Sequence, residues 1–232
     1  LAAYRLALEL GADYIEPDLV ASKDSVLFAL HSLDLNQTTN VEEVFSDRKL
    51  RWYSHEAGRE GYWSFNFTAE EIRQLRVRQR LPEARSTQYD GLFGIPSLHD
   101  ILELLEDWNT RDLPATLSLQ EIPANELNYS RPSPLQKYQS GIYIEFKEAE
   151  WLKKEAGIDI VDLLYADIRS SFQDDGASGS THWKSLLPCF KNVRFDEYTV
   201  PGLVLQSFDH SDLETFHDKW DLPAAEPPYV LF

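Results

Sequence analysis

The sequence contains no methionine and a single cysteine, Cys189, in 232 residues. One cysteine cannot form an internal disulfide, so a fold stapled by disulfides is excluded. Without a methionine there is no initiator residue, and the opening segment LAAYRLALELGA already has the pattern of a helix inside a domain. We therefore expect further chain upstream, where any signal peptide would also lie.

Positive charge is also scarce. The chain has 22 basic and 39 acidic residues, which gives a net charge of −17 at pH 7. Such an acidic surface disfavours nucleic acids and anionic membranes as partners, and a phosphate site would need its own positive charge or metal. No apolar run approaches the roughly 18–20 residues that a membrane-spanning helix requires. The composition leaves the oligomeric state open.

The apolar residues suffice for one sizeable core, since 43% of the chain is hydrophobic and 12% is aromatic. We predict a single domain over residues 1–232, with insertions at about 40–66 and 109–140. Short apolar runs alternate with amphipathic segments, a pattern typical of parallel βα units. Predicted strands lie at 14–20, 25–31, 141–147, 202–209 and 229–232, and predicted helices at 1–10, 68–79, 97–108, 158–170 and 211–219.

Three of the predicted helices have a recognisable start signal. In a capping box, a serine or threonine precedes the helix and an acidic side chain three residues later closes the pair of hydrogen bonds. The pairs are Thr68 with Glu71, Ser211 with Glu214 and, more weakly, Ser97 with Asp100.

Charged side chains share one face of the predicted strands. Residues two apart on a strand point the same way, which groups Glu16 with Asp18 and Glu145 with Lys147, while His31 ends the strand between them. In a parallel barrel this face meets the lumen, near the carboxyl ends of the strands where barrel enzymes place their sites. Three carboxylates, one lysine and one histidine are therefore expected to converge.

Several carboxylates in one buried place need a counter-charge, because unpaired they would protonate. A hard divalent cation with oxygen ligands, Mg²⁺ or Ca²⁺, is the natural partner. For single residues, a salt bridge between Lys147 and Glu145 or a solvated rim position for Glu16 and Asp18 is the simpler interpretation. The repetition on successive strands favours the cation. Pro17 indicates that the ladder of the first strand ends there, as at a barrel mouth.

The run GADYIEPDLVASKDSVLFALHSLDLNQTT, residues 11–39, combines a Glu-x-Asp pair, a Lys-Asp turn, a strand ending in histidine and a Leu-x-x-Thr-Thr segment. It resembles the opening motif of the glycerophosphodiester phosphodiesterases. The later segments FTAEEIRQL, FGIPSLHDILELL, GIYIEFK and GLVLQSFD resemble that family's elements in the same order. The aromatic insertion at 50–67 is most similar to the larger periplasmic and plant-type members.

The resemblance implies a (β/α)8 TIM-barrel fold that hydrolyses glycerophosphodiesters to an alcohol and sn-glycerol 3-phosphate. It implies that Glu16, Asp18 and Glu145 bind the divalent cation, Ca²⁺ or Mg²⁺. It also implies that His31 is one of two histidines acting as general acid and base, and that Lys147 contacts the phosphate. The chemistry suits these residue types, since a histidine titrates near neutral pH and a lysine offsets developing negative charge.

The sequence departs from the family pattern in two places. A His-Arg pair and a Pro-Glu-Asn motif of the family would precede Leu1, and Ser32 stands where aspartate is usual. By this alignment the chain supplies strands two to six of the barrel, and such a partial barrel would have open edges. We therefore expect residues 1–232 alone to be poorly active or inactive.

Two alternatives to the enzyme remain open. A non-catalytic relative would keep the acids but bind a polyol phosphate or a partner without turnover, and Ser32 favours it slightly. Another metal-dependent barrel, such as a sugar isomerase, is disfavoured by the Lys-Asp turn and by Thr38-Thr39.

Two further expectations concern aromatic residues and the compartment. Phe208, at the end of a predicted strand, is a candidate wall of a substrate pocket, whereas the aromatic residues at 52–65 are expected to pack the insertion. Three N-x-S/T triplets, at Asn36, Asn66 and Asn128, favour a secreted, secretory-pathway or periplasm-like protein.

Overall fold

The computed structural model describes residues 1–48, 50–53, 58–110, 140–172, 182–183, 194–195, 198–199, 202–221 and 229–231. Most of the predicted insertion at 109–140 lies outside these residues, as do Asn128 and Cys189. Within the described residues, no helix is both long enough and apolar enough to cross a bilayer. The division into one domain with two insertions stays a prediction.

The main sheet has six strands and curls like part of a barrel. Its strand order is β10-β9-β6-β2-β3, and β1 pairs with β6 beside β2. All of these pairs are parallel except β2 with β3. The strands of this sheet are β1 (Tyr14–Ile15), β2 (Asp18–Ala21), β3 (Leu27–Ala29), β6 (Gly141–Phe146), β9 (Leu203–Ser207) and β10 (Tyr229–Leu231).

Helices and two small antiparallel hairpins complete the described chain. The hairpins pair β4 (Leu50–Tyr53) with β5 (Gly58–Gly61) and β7 (Arg194–Phe195) with β8 (Tyr198–Thr199). The α-helices are α1 (Ala2–Glu9), α2 (Val41–Val44), α3 (Ala69–Gln74), α4 (Leu98–Thr110), α5 (Ala149–Ala156), α6 (Ile160–Ser170) and α7 (His210–Lys219), and short 3₁₀ turns lie at Leu35–Gln37 and Ser64–Asn66.

The central strand β6 buries one apolar face, as expected for a parallel strand covered by helices, while Tyr143 and Glu145 lie on the other face. Ile142, Ile144 and Phe146 are each 1% exposed or less. Burying each such side chain stabilises the fold by about 1.5–3 kcal/mol relative to leaving it in water. The apolar stripes of α4, α6 and α7 are buried in the same core, which holds β6 and its two parallel neighbours at fixed positions.

The predicted strand at 14–20 is split by Pro17 into β1 and β2, yet the hydrogen-bonded ladder does not end there. The carbonyl oxygen of Pro17 accepts a hydrogen bond of 3.1 Å from the amide of Glu145. Pairing with β6 then resumes, with Asp18 opposite Glu145. The expectation that Pro17 terminates the ladder is therefore wrong, because proline lacks only the donor and its carbonyl still accepts.

The predicted strand at 25–31 is not a parallel barrel strand. Its core forms β3, which runs antiparallel to β2 with Leu19 opposite Ala29. The connection from Ser22 to Val26 is too short for the crossover of about a dozen residues that a parallel pair needs. Among the described residues, parallel strands therefore occupy four barrel positions rather than the five expected, and β3 is a hairpin strand folded beside β2.

The hairpin turn between β2 and β3 is fastened to the start of α3. A carboxylate oxygen of Asp24 accepts hydrogen bonds of 2.7 Å from the Ser22 hydroxyl and from the Ala69 amide. The Lys23 amide donates to the Phe67 carbonyl at 2.8 Å. These bonds fix the hairpin against the body of the protein, and with it the position of the residues that follow β3.

Ser25 in this turn has a left-handed backbone with φ of 63°. That conformation costs a non-glycine residue about 1–2 kcal/mol, whereas glycine adopts it freely but loses more entropy on folding. We expect Ser25→Gly to raise the free energy of unfolding by about 0.5–1 kcal/mol, measured by urea denaturation. Ser25→Val is the matched control and should destabilise, and a Gly variant less stable than wild type would contradict the assignment of strain.

Two of the three predicted helix starts are confirmed. Before α3, the Thr68 hydroxyl accepts from the Glu71 amide at 3.3 Å and the Glu71 carboxylate accepts from the Thr68 amide at 2.9 Å. Before α4, the Ser97 hydroxyl accepts from the Asp100 amide at 3.3 Å, and the Asp100 carboxylate accepts from the Ser97 amide at 2.7 Å.

The third predicted start is wrong by two residues. Helix α7 is capped by Asp209, whose carboxylate accepts from the Ser211 amide at 2.9 Å. Glu214 instead pairs with His210 at 3.1 Å on the helix surface. The helix begins at His210, so Asp209 is its N-cap residue instead of Ser211. Aspartate and serine are about equally favourable at this position.

Candidate active site

The three predicted acidic residues meet at one end of the sheet. Glu16 follows β1, Asp18 opens β2, and Glu145 is the penultimate residue of the adjacent strand β6. The parallel register sets Asp18 directly beside Glu145. One carboxylate oxygen from each of the three side chains lies within 4.8 Å of the other two.

The three carboxylates differ in how deeply they are buried. Glu145 is 5% exposed, Asp18 is half-buried, and Glu16 is exposed at the rim. The cluster therefore has a buried base and an open side from which a ligand can enter. This gradient follows from the sheet, because β6 is central whereas Glu16 lies in the break between β1 and β2.

Lys147 supplies the positive charge closest to the cluster. Its Nζ lies 3.2 Å from Asp18 Oδ1 and forms a hydrogen-bonded ion pair with Glu145. The lysine side chain is 15% exposed. The salt bridge that the sequence allowed as a simpler interpretation is thus present, but one ammonium faces three carboxylates and leaves a surplus of negative charge.

The surplus of negative charge shifts the pKa values of the residues in the cluster. Burial raises the pKa of Glu16, and the neighbouring charges of Asp18 and Glu145 raise it further. Burial and the interaction with Asp18 raise the pKa of Glu145 despite Lys147. Burial tends to lower the pKa of Lys147, but its hydrogen bonds and ion pairs with Glu145 and Asp18 outweigh this and raise it. Like charges therefore repel in the absence of a cation.

The donor set fits a hard divalent cation. The three side chains offer only carboxylate oxygens, which are the ligands that Mg²⁺ and Ca²⁺ prefer, and they are close enough to share one ion. A bound ion would also replace the mutual repulsion by attraction. Ordinary exposed acidic groups can cluster without a metal, but here the innermost carboxylate is buried in the sheet.

His31 lies two residues beyond β3, beside this cluster. The amide of the preceding residue, Leu30, donates a 2.9 Å hydrogen bond to the carbonyl of Asp18. Burial lowers the pKa of His31, and the charges of Arg80 and Lys147 lower it further, whereas Asp18 acts in the opposite direction. The hairpin that the sequence did not predict is what returns the chain from Asp18 to His31.

The sequence analysis missed Arg80, which contacts His31. Arg80 Nη1 lies 3.0 Å from Nδ1 and 3.1 Å from Nε2 of the imidazole. The two residues are 49 positions apart, so no local spacing could have linked them. The available signal was compositional: the segment RQLRVRQRLPEAR is rich in arginine in an otherwise acidic protein.

Aromatic side chains border the site. Phe208 follows β9 and is 89% exposed, with its ring centroid 6.0 Å from Lys147 Nζ. Tyr4 and Tyr143 also lie near the acids: burial raises the pKa of both. The charges of Asp18 and Glu16 raise the pKa of Tyr4 further. Those of Glu16 and Glu145 raise the pKa of Tyr143 further. The aromatic residues at 62–67 are largely buried, with Tyr62 and Phe67 at 2% exposed or less, so they pack the insertion.

A sequence profile of the glycerophosphoryl diester phosphodiesterase family matches residues 1–132, which contain the first two carboxylates and His31. The chain belongs to this family. The third carboxylate, Glu145, lies beyond the matched region, but its strand pairs with β2 and brings it to the same cluster.

Curated relatives agree with this assignment. The chain is 36% identical over 107 residues to glycerophosphodiester phosphodiesterase GDPD6 of Arabidopsis thaliana, covering 45% of this chain and 28% of that protein. It is 31% identical over 107 residues to a glycerophosphodiester phosphodiesterase of Caldanaerobacter subterraneus, covering 46% of this chain and 34% of that protein. The chain thus spans about a third or less of the length of these relatives.

A solved structure from Silicibacter pomeroyi with the provisional name glycerophosphoryl diester phosphodiesterase has a similar fold. The TM-score is 0.56 at 16% identity, over 99% of this chain and 58% of that one. At this identity the likeness concerns the fold alone. It confirms the predicted barrel-type class, and the curled sheet is consistent with an incomplete (β/α)8 barrel.

Proposed function

We propose that the protein hydrolyses glycerophosphodiesters to an alcohol and sn-glycerol 3-phosphate. The observation that carries this proposal is the convergence of Glu16, Asp18 and Glu145 with Lys147 and His31 at one end of the sheet of a family member. The names of the curated relatives support the reaction class.

In this proposal Glu16, Asp18 and Glu145 hold a divalent cation, Ca²⁺ or Mg²⁺. Bound there, the cation would neutralise the phosphodiester and polarise its P–O bond. The buried carboxylate of Glu145, the half-buried one of Asp18 and the exposed one of Glu16 would together hold the ion through their oxygens.

The remaining residues act on the substrate. Lys147 is held by Asp18 and Glu145, so its ammonium is oriented before the phosphate arrives. His31 serves as general acid or base, and its lowered pKa keeps the imidazole neutral and able to accept a proton at neutral pH. Phe208, exposed beside Lys147, offers an apolar surface to the alcohol part of the substrate.

Metal removal tests the proposal. We expect the full-length protein to hydrolyse glycerophosphocholine, to lose this activity in EDTA, and to regain it with Ca²⁺ or Mg²⁺. The activity should depend on the cation because the proposed reaction needs the cation bound together with the phosphate. The same cation should stabilise the fold by about 2.7 kcal/mol at 100 times its Kd, measured by thermal unfolding. Turnover that is unchanged in EDTA would contradict the role of the cation.

A binding protein without turnover is the second candidate, and Ser32 is the observation that favours it. The Ser32 hydroxyl accepts a hydrogen bond of 3.1 Å from the Asp34 amide, a structural use for a position where the family usually has aspartate. Stabilisation by the cation, without hydrolysis under any condition, would support this candidate over the enzyme.

A further inference from the structure

Arg80 brings a guanidinium group to His31, and none of the carboxylates that the structure describes forms an ion pair with it. In the described part of the chain, no acidic oxygen lies within 4.0 Å of this guanidinium, whereas Arg48 and Arg78 pair with Glu71 and Glu43. Arg80 itself is exposed. In a protein with a net charge of −17, a cation at the site that is not neutralised by a neighbouring acid is available to an anionic ligand.

The contact geometry leaves most of the Arg80 donors unused. The same nitrogen, Nη1, is almost equidistant from both ring nitrogens of His31, at 3.0 and 3.1 Å. The lone pair and the N–H of a neutral imidazole point in different directions in the ring plane, so one nitrogen cannot make in-plane bonds to both. The guanidinium therefore lies against the ring, and its other N–H donors make no hydrogen bond to the described residues, so they are available to a ligand.

The other cation of the site is already engaged. Lys147 is bound by Asp18 and Glu145, so part of its charge is offset by these two carboxylates. A phosphodiester that reaches His31 would meet the guanidinium of Arg80, which presents a bidentate fork matched to two phosphate oxygens. Arg80 and Lys147 are both close enough to act electrostatically on His31.

We propose that Arg80 binds the phosphate of the bound glycerophosphodiester and holds it against His31. This inference rests on the proposed function and names a substrate-positioning residue for it. Arg80 lies in the segment between α3 and α4, outside the sheet that supplies the carboxylates, Lys147 and Phe208. The segment would then contribute to specificity for a phosphate-bearing ligand.

Binding of sn-glycerol 3-phosphate to the full-length protein, measured by titration calorimetry with Ca²⁺ or Mg²⁺ present, tests this role. Arg80→Gln should weaken binding by about 10–100-fold, the loss of a charge-assisted bidentate contact. Arg80→Lys keeps the positive charge but not the two parallel N–H donors, so it should restore only part of the lost affinity for sn-glycerol 3-phosphate. Cation affinity should be unchanged, because Arg80 contacts none of the three carboxylates.

Arg85→Gln is the matched control, since Arg85 is exposed in the same segment and its removal changes the net charge equally. Equal sn-glycerol 3-phosphate affinity for the Arg80 and Arg85 variants would overturn the inference. A changed pH profile of hydrolysis with unchanged affinity would also overturn it, because Arg80 would then act on His31 alone. Weakened binding in Arg80→Gln without turnover by any variant would contradict the proposed function but support the phosphate contact.

Discussion

Asp18→Asn and Glu145→Gln are each expected to lower kcat/KM for glycerophosphocholine by about 10³-fold or more. Each change removes one of three negative charges from a cluster in which one oxygen of each carboxylate lies within 4.8 Å of the other two. Charge count strongly tunes the affinity of such sites, so cation affinity should fall by about 100-fold. Hydrolysis kinetics and calorimetric titration of the cation measure the two effects separately.

Glu155→Gln is the control for these variants, since Glu155 is an exposed acid of α5, and it should behave as wild type. Glu16→Gln adds a second comparison. Glu16 is repelled by Asp18 and Glu145, so its neutralisation should leave the cation-free protein as stable as wild type or slightly more stable. The stabilisation by the cation should be lost. Wild-type cation affinity in all three site variants would rule out the carboxylate cluster as the binding site.

His31→Ala is expected to reduce kcat by about 10²–10⁴-fold, the usual contribution of a positioned general acid or base. Cation affinity should stay within about two-fold of wild type, because an imidazole outside the carboxylate cluster contributes little to an oxygen-ligand site. His31 has a pKa below its ordinary value, so activity that uses His31 as the base should persist to a lower pH than an unperturbed histidine allows, whereas activity that uses it as the acid should be lost at a lower pH.

His217→Ala is the control. It removes an imidazole from the exposed surface of α7 and should leave kcat and the cation affinity unchanged. Loss of cation affinity in His31→Ala would mean that the histidine is a ligand or that the hairpin has shifted. Circular dichroism and the urea midpoint of the variant separate these two cases. Retained kcat would contradict the general acid or base role.

The hairpin between β2 and β3 shows how a local pattern can predict a strand but not its partner. The run SVLFALH has the composition of a buried strand, and β3 does lie within it. Its direction depends on the length of the connection, and the short Lys23-Asp24-Ser25 turn permits only an antiparallel return. The length of this turn can be read from the sequence, so the sequence already favours the antiparallel direction of β3.

Helix α5 is a second case: the sequence carried a signal at its end, in the two lysines of its last turn and the left-handed Gly157, but no capping signal at its start. Its Ncap residue Glu148 has a left-handed φ of 49° and makes no side-chain capping bond. The helix is fixed by tertiary packing, since Ala149 and Leu152 are buried against the rest of the core. Helix formation in proteins depends more on such packing than on local propensity.

The sequence by itself determined the acidic composition, the α/β class, the grouping of Glu16, Asp18, Glu145 and Lys147 at or next to strands, and the family resemblance, because each depends on residue type and on spacing within one element. Only the tertiary structure decided that an antiparallel hairpin, rather than a parallel strand, brings His31 beside Asp18, and that Arg80 lies against it. These two contacts depend on hydrogen bonds and packing between segments far apart in the chain. No periodicity encodes such contacts, and they form only when the sheet and the hairpin are assembled.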